Sequence, residues 1–259
     1  MRKDILHLIN KFDFAKSLIY DAADFIKEKM SGQLDIQVKS NHDDLVTNVD
    51  QETQDFLIAQ IKKHYPQDNI LAEENEVRHP INDGSVWVID PIDGTVNFIV
   101  QGENFAIMLA YFEDGVGQFA FIYDVMKDQL LAGGGQFDVL FNDKKVLPYE
   151  PKGLSESLVI CNSGMYLENY CGLMNLIRQS LGVRIYGGAG ISIIKVLRQQ
   201  VFGYFSYIQP WDYAAAYIFG ERLGYVLLTI EGEKPDFQTR QKVMFVPEAE
   251  LPVLKKILN

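Results

Sequence analysis

Residues 86–98 read VWVIDPIDGTVNF, an apolar run that carries straight into two aspartates three positions apart. VWVI suits a buried strand. Pro91 cannot donate to a strand ladder, and Gly94 permits a backbone angle that other residues avoid. Such a turn leaves Asp90 and Asp93 projecting from a strand end, as two arms expected to aim in opposite directions. Carboxylates this close repel one another, and near neutral pH they need a proton or a cation to coexist. Oxygen ligands of this kind suit a hard divalent ion such as Mg²⁺. A plainer possibility is that Asp93 only caps the helix that follows.

Other acids are placed in the same way. ILAEENE sets Glu73 and Glu74 directly after an apolar run, which fits either a strand end or a solvated turn. DLVTNVD supplies Asp44, Thr47 and Asp50 ahead of a helix, where capping competes with a functional role. QPWDYAAA puts Asp212 at a helix start behind Trp211, again a capping position. Lys39 and His42 lie in a polar stretch with a loop-like SNHDD core; taken alone, each reads as solvated.

Apolar residues recur at helical spacing from Asp4 to about Met30 and again from Gln51 to about His64, with Pro66 as a stop. NFAIMLAYF, GVGQFAFIYD and DQLLAGGG are then separated by turn signals, which predicts an antiparallel meander, and QFDVLFNDKKV one more hairpin. From about Ser155 the texture alternates: strand SLVICN, a helix over Tyr166–Leu181, strand VRIYG, helix ISIIKVLRQQ, strand YFSYI, helix WDYAAAYIFGERLG and strand YVLLTIEG. Helices on a mainly antiparallel sheet, then strands alternating with helices, give an α+β chain of two halves, 1–150 and 151–259.

The 24 basic and 35 acidic residues leave a net charge of −11. That disfavours nucleic acid or an anionic membrane as the partner, but not a small anionic substrate whose charge bound cations would offset. Cys161 and Cys171 read as small apolar residues of a reduced, cytoplasmic protein. The charged N-terminal stretch is unlike a signal peptide, and no apolar window has the ~20 residues of a membrane span.

Taken in order, these segments resemble the inositol monophosphatase family of Mg²⁺-dependent, lithium-sensitive phosphatases. Asp90–Phe98 matches its D-P-I-D-G-T-x-N-F element, Asp44–Asp50 its D-x-V-T-x-x-D element, Glu73 and Glu74 its glutamate pair, and Trp211–Asp212 its W-D element. The resemblance implies an αβαβα layered sandwich and a phosphomonoesterase with two to three Mg²⁺ per site, commonly a homodimer, acting on a small phosphorylated metabolite. It implies that Glu73, Asp90, the Ile92 carbonyl and Thr95 face the first ion. Asp90, Asp93 and Asp212 would hold the second, and Glu73 would also serve a third. Thr95, bonded to Asp50, would orient the attacking water, and the N–H groups of Gly94 and Thr95 would receive phosphate. Asp93, Ala189 and Asp212 would line the substrate, Lys39 would act near the phosphate, and Glu74 would support the loop.

One stretch departs from the family pattern. The residues remain small over Gly187–Gly190, but no carboxylate occurs between Gly203 and Trp211, where the family carries the acid that takes sugar hydroxyls. Tyr204, Phe205, Tyr207 and Ile208 are ordinary strand packing or a platform for a flatter leaving group. Inositol phosphate therefore competes as substrate with NADP(H), fructose 1,6-bisphosphate and adenosine 3′,5′-bisphosphate. A regulatory protein without turnover is the alternative of a different class.

Overall fold

A computed structural model describes residues 2–39, 42 and 44–258. Helix α1 (Arg2–Lys29) and helix α2 (Asn48–His64) form the first layer. The stretch between them holds an antiparallel ribbon of β1 (Ile36–Val38) and β2 (Leu45–Thr47), one strand on each side of the expected SNHDD loop. Apolar residues at Ile36, Val38 and Leu45 give these short strands their β preference, and Asn48 ties the ribbon's base through the Asp35 N–H at 2.9 Å. Ser40, Asn41 and Asp43 of the expected SNHDD loop lie outside the described residues.

The second layer is a seven-stranded sheet in chain order: β3 (Asn69–Ala72), β4 (Ser85–Asp93), β5 (Ala106–Glu113), β6 (Val116–Asp124), β7 (Gln129–Gly134), β8 (Phe137–Phe141) and β9 (Lys144–Lys145). Only β3 and β4 run parallel. Helix α3 (Thr95–Gln101) links β4 to β5. Alternation along β4 sends Trp87 and Ile89 toward α1 and α2, and Val86 and Val88 to the opposite face.

The second half supplies the remaining layers. Strands β10 (Leu158–Cys161), β11 (Gly182–Arg184), β12 (Gly203–Ile208), β13 (Tyr225–Thr229) and β14 (Gln241–Pro247) form a sheet in the order β11-β10-β12-β14-β13. Helices α6 (Ala189–Leu197) and α7 (Pro210–Leu223) lie between the two sheets. Both are apolar nearly all round, as a middle layer requires. Helices α4 (Ser163–Leu167), α5 (Leu173–Arg178) and α8 (Leu251–Ile257) cover the outer face through Met165, Leu173, Leu176, Leu254 and Ile257. The result is an αβαβα stack.

Two expectations change here. The single helix over Tyr166–Leu181 is broken, because Asn169, Cys171 and Gly172 adopt left-handed backbone angles (φ 48°, 46° and 72°). The Asn169 side chain turns back to cap the Met174 N–H at 2.8 Å, a local alternative to continued helix. Strand β14 was not foreseen; its KVMFV run inserts between β12 and β13 and makes that half of the sheet antiparallel.

One buried charge locks α1 to the first sheet. Lys11 is 1% exposed and donates to Asp68 at 2.6 Å and to the Tyr111 hydroxyl, while Trp87 Nε1 donates to the same carboxylate at 2.8 Å. Removing one partner of such a pair strands the other charge. Lys11→Met should therefore cost about 3 kcal/mol of unfolding free energy. Urea denaturation measures it, and an unchanged midpoint would show that the pair contributes nothing net.

Candidate active site

The site begins with a fault in the sheet. Asp90 pairs with Met108, but Asp93 pairs with Ala106, so β4 advances three residues while β5 advances two. Spacing of three would put the aspartates on opposite faces of a regular strand. The extra residue, a β-bulge, turns both to the face that holds α6 and α7. Pro91 lies inside the bulge, where no ladder donor is needed. Gly94 then adopts φ 87°, ψ 42° and starts α3. The two carboxylates are thus neighbours rather than opposed arms.

Asp93 reaches across to the second half. Its Oδ1 accepts from the Ala189 N–H and its Oδ2 from the Gly190 N–H, each at 2.8 Å, so it caps α6 and not the helix that follows it in sequence. A Cβ on Gly188 would lie 2.9 Å from Asp93 Oδ2, which explains the small residues there. Asp212 sits in the first turn of α7, where its Oδ2 accepts the Gln209 N–H at 2.8 Å.

Ligand oxygens of Asp90, Asp93 and Asp212 lie within 4.8 Å of one another. Asp90 Oδ1 is buried with no hydrogen-bond partner among the described residues. Burial, then Glu73, Asp93 and Asp212, raise the Asp90 pKa well above the usual carboxylate range. Burial pushes Asp93 up to about 6 against two N–H bonds that oppose it, and burial with the Asp93 and Glu73 charges pushes Asp212 up to about 8. Three crowded oxygen donors, one of them orphaned, fit a hard divalent cation such as Mg²⁺.

Glu73 is turned toward Lys39, whose ammonium lies 2.7 Å from Glu73 and 2.5 Å from Glu74. Burial works against the Lys39 charge, but these two acids outweigh it and raise its pKa. Glu74 is buried, and its pKa rises to about 7 through burial and the Glu73 charge. Gln54 grips the Glu74 backbone with both ends of its amide, at 2.7 and 2.8 Å.

Thr95 opens α3, and its hydroxyl lies 3.0 Å from Asp50 Oδ1 and 3.2 Å from the Ile92 carbonyl. Asp50 is fully buried at the start of α2, where its other oxygen accepts from the Thr47 N–H at 2.8 Å and from the Thr47 hydroxyl. Burial raises its pKa despite these bonds. Asp50 therefore caps α2 and holds Thr95 at once. Asp44 lines the cavity, and His42 is an exposed residue of the preceding turn.

Lys39, Asp44, Glu73, Asp93 and Thr95 border a cavity of about 640 Å³ between the halves, lined also by Gly94, Ala189 and Asp212, while Asp50, Glu74 and Asp90 are buried outside its lining. Four contributors escaped the sequence reading. Gln54 is one; Asn97 donates to the Asn104 and Tyr186 carbonyls at 2.9 and 2.8 Å and so ties the halves. Arg78 stacks on Trp211 with its guanidinium carbon 4.5 Å from the ring centre, and Arg240 stacks on Tyr207 at the same distance. Asn97 falls within the DPIDGTVNF element, a signal that was present; the other three sit in ordinary polar contexts. Of the aromatic stretch before Trp211, Phe205 is core, Tyr204 is buried at the cavity wall, and Tyr207 is exposed on it.

Residues 10–255 match the profile of the inositol monophosphatase family. The inositol-1-monophosphatase of Bacillus subtilis (strain 168) is 36% identical over 239 residues, covering 90% of each chain. The crystal structure of an IMPase/NADP phosphatase complexed with Mg²⁺ and phosphate superposes with a TM-score of 0.90 at 25% identity, covering 98% of this chain and 96% of that one. A staphylococcal IMPase-I complexed with products gives 0.88 at 26%, with 98% and 96% covered. With the layered fold and the acidic cluster, these matches establish that the chain belongs to the inositol monophosphatase family and is a Mg²⁺-dependent phosphomonoesterase for a small phosphorylated substrate.

Proposed function

We propose that the chain hydrolyses an inositol-monophosphate-like ester, with the carboxylates of Asp90, Asp93 and Asp212 as the metal-binding floor of the cavity. The observation that carries this is the convergence of those three groups beside the Thr95–Asp50 pair. When bound, Mg²⁺ supplies the charge that offsets the acids and polarises the phosphoryl oxygens of an in-line displacement. Glu73 and the Ile92 carbonyl would complete its ligand set, with Lys39 released from Glu73 as the ion binds. Gly94 and Thr95 would offer backbone N–H groups to the phosphate.

Thr95 Oγ1 donates its single proton to Asp50, which leaves its lone pairs to accept a hydrogen bond from the attacking water. That water is thereby aimed, and Asp50, held by Thr47, fixes the hydroxyl's direction. Asp93 keeps α6 and its Ala189 beside the substrate, and Glu74 with Gln54 holds the Glu73 segment. The segments 1–150 and 151–259 would work as one catalytic unit, in a cytoplasmic homodimer.

A second reading is favoured by the leaving-group wall. No carboxylate lies between Gly203 and Trp211, and a site without a partner for a buried sugar hydroxyl discriminates less well. Exposed Tyr207 suits a larger leaving group, such as that of NADP(H), fructose 1,6-bisphosphate or a nucleoside 3′,5′-bisphosphate. One structural neighbour is described as an IMPase/NADP phosphatase. A phosphate-release screen across these esters with Mg²⁺ decides between the two; release from none of them would favour a regulatory protein without turnover.

Asp90→Asn keeps the side chain's shape while removing a buried negative charge whose Oδ1 has no hydrogen-bond partner among the described residues. It should lower kcat/KM by more than about 100-fold, a loss already reached by disturbing partners one step removed from a metal. The metal-free variant should stay as stable as the parent at pH 8. Near-normal turnover would remove Asp90 from the metal site.

The raised pKa values of Asp93 and Asp212 set a pH dependence. The folded state binds more protons than the unfolded chain wherever the pH lies between the ordinary carboxylate value and about 8. Without metal, these groups make stability fall as pH rises through that window. The chelated protein should therefore melt lower at pH 8 than at pH 5.5, and Mg²⁺ should raise Tm more at pH 8. Scanning calorimetry with EDTA or Mg²⁺ tests this; equal Mg²⁺ shifts at both pH values would contradict it.

A further inference from the structure

Arg240 stands apart from the other cations around the cavity. Lys39 is engaged by Glu73 and Glu74, and Arg78 spends one terminal nitrogen on the Ala72 and Val77 carbonyls. Arg240 donates only its Nε, to the Tyr207 carbonyl at 3.2 Å, and its guanidinium carbon lies over the Tyr207 ring, 4.5 Å from its centre. Its two terminal nitrogens have no hydrogen-bond or ion-pair partner among the described residues.

The nearest acid in sequence is already committed. Asp236 accepts the Gln238 and Thr239 N–H groups at 2.8 and 2.9 Å and the Thr239 hydroxyl at 2.7 Å, closing the turn that delivers Arg240 to the rim. Lys242, one step along β14, stands 3.7 Å from the Tyr170 ring centre and 5.8 Å from that of Tyr207. Burial opposes the charge of its neighbour Glu231, but Glu231's own N–H, the Tyr170 hydroxyl at 2.9 Å and the Lys242 charge together lower its pKa. Arg240 thus brings to this rim two terminal nitrogens unspent among the described residues.

A pinned, unpaired guanidinium on the rim of a site in a chain of net charge −11 is suited to an anion. The reacting phosphate is accounted for beside the acids of the same cavity. A leaving group with only hydroxyls would want an acceptor on this wall, and the stretch from Gly203 to Trp211 offers no carboxylate.

We infer that Arg240, stacked on Tyr207, is a specificity-determining residue that binds a second phosphate carried by the leaving group. This rests on the phosphomonoesterase site proposed above and deepens its second reading: the leaving group favoured is one that carries a further phosphate, on either a sugar or a nucleoside. Stacking on Tyr207 removes most of the rotamer freedom that an exposed arginine would lose on binding, so the fork is preorganised for bidentate contact.

The test compares the parent protein, Arg240→Ala and Arg240→Lys, with saturating Mg²⁺. Substrates are inositol 1-phosphate, fructose 1,6-bisphosphate, adenosine 3′,5′-bisphosphate and p-nitrophenyl phosphate. The readout is the ratio of kcat/KM for the better bisphosphate to that for inositol 1-phosphate. Arg240→Ala should lower this ratio by about 10-fold or more, mainly through KM, as expected for a lost charge-assisted contact. Arg240→Lys should recover only part, because charge returns without the planar fork. A ratio changed by less than twofold, or a parent that hydrolyses neither bisphosphate, overturns the subsite. Absence of any phosphate release, from p-nitrophenyl phosphate included, would instead remove the phosphomonoesterase reading on which it rests.

Discussion

Two backbone N–H groups at the start of α6 converge on the carboxylate of Asp93, at the end of β4. Most of the site depends on this contact. It joins the seven-stranded sheet to the middle helical layer across the cavity between the halves. It also holds a negative charge in place where burial alone would expel it, because a helix N-terminus and two N–H donors both favour the anion. Each Asp93 oxygen has further lone pairs, so capping α6 and serving a cation are not alternatives. The same holds for Asp212, which caps α7 while facing the cavity, and Asp50 in turn caps α2 while holding Thr95.

This double use explains the electrostatics. Asp50, Asp93 and Asp212 are anchored by backbone donors and Glu73 and Glu74 by Lys39, whereas Asp90 Oδ1 has no hydrogen-bond partner among the described residues. The fold fixes the carboxylates more closely than their mutual repulsion permits and leaves the remaining charge uncompensated. A site built in this way is preorganised for a divalent ion, and it makes the metal-free protein pH-sensitive. Lys39 supplies a provisional positive charge on the Glu73 side.

Much of this was legible in the sequence because the informative residues are contiguous. VWVIDPIDGTVNF specifies strand, bulge and helix start within thirteen positions, and the Thr47–Asp50 capping box is also local. What spacing alone could not give was direction. Only the pairing of Asp90 with Met108 and of Asp93 with Ala106 shows that both carboxylates share a face. Nor could local sequence show that Asp93 caps a helix 96 residues away. The break at Asn169 arose from side-chain capping that helical periodicity does not register, and β14 required a non-local partner on each side. Arg78 and Arg240 are unremarked basic residues until the fold stacks them on Trp211 and Tyr207.

The two ends of the cavity therefore differ in kind. The acid end is built from residues with several simultaneous obligations, so its composition is tightly constrained by folding as well as chemistry. The wall proposed for the leaving group, with Tyr204, Tyr207 and Arg240, is held mostly by strand pairing and stacking. The central claim concerns the acid end, and anomalous diffraction from crystals soaked in Mn²⁺ as a stand-in for Mg²⁺ tests it most directly. The account predicts anomalous peaks between the carboxylates of Asp90, Asp93 and Asp212, with the Asp93 bonds to α6 intact. Manganese bound elsewhere, or no peak among those carboxylates at millimolar Mn²⁺, would contradict it.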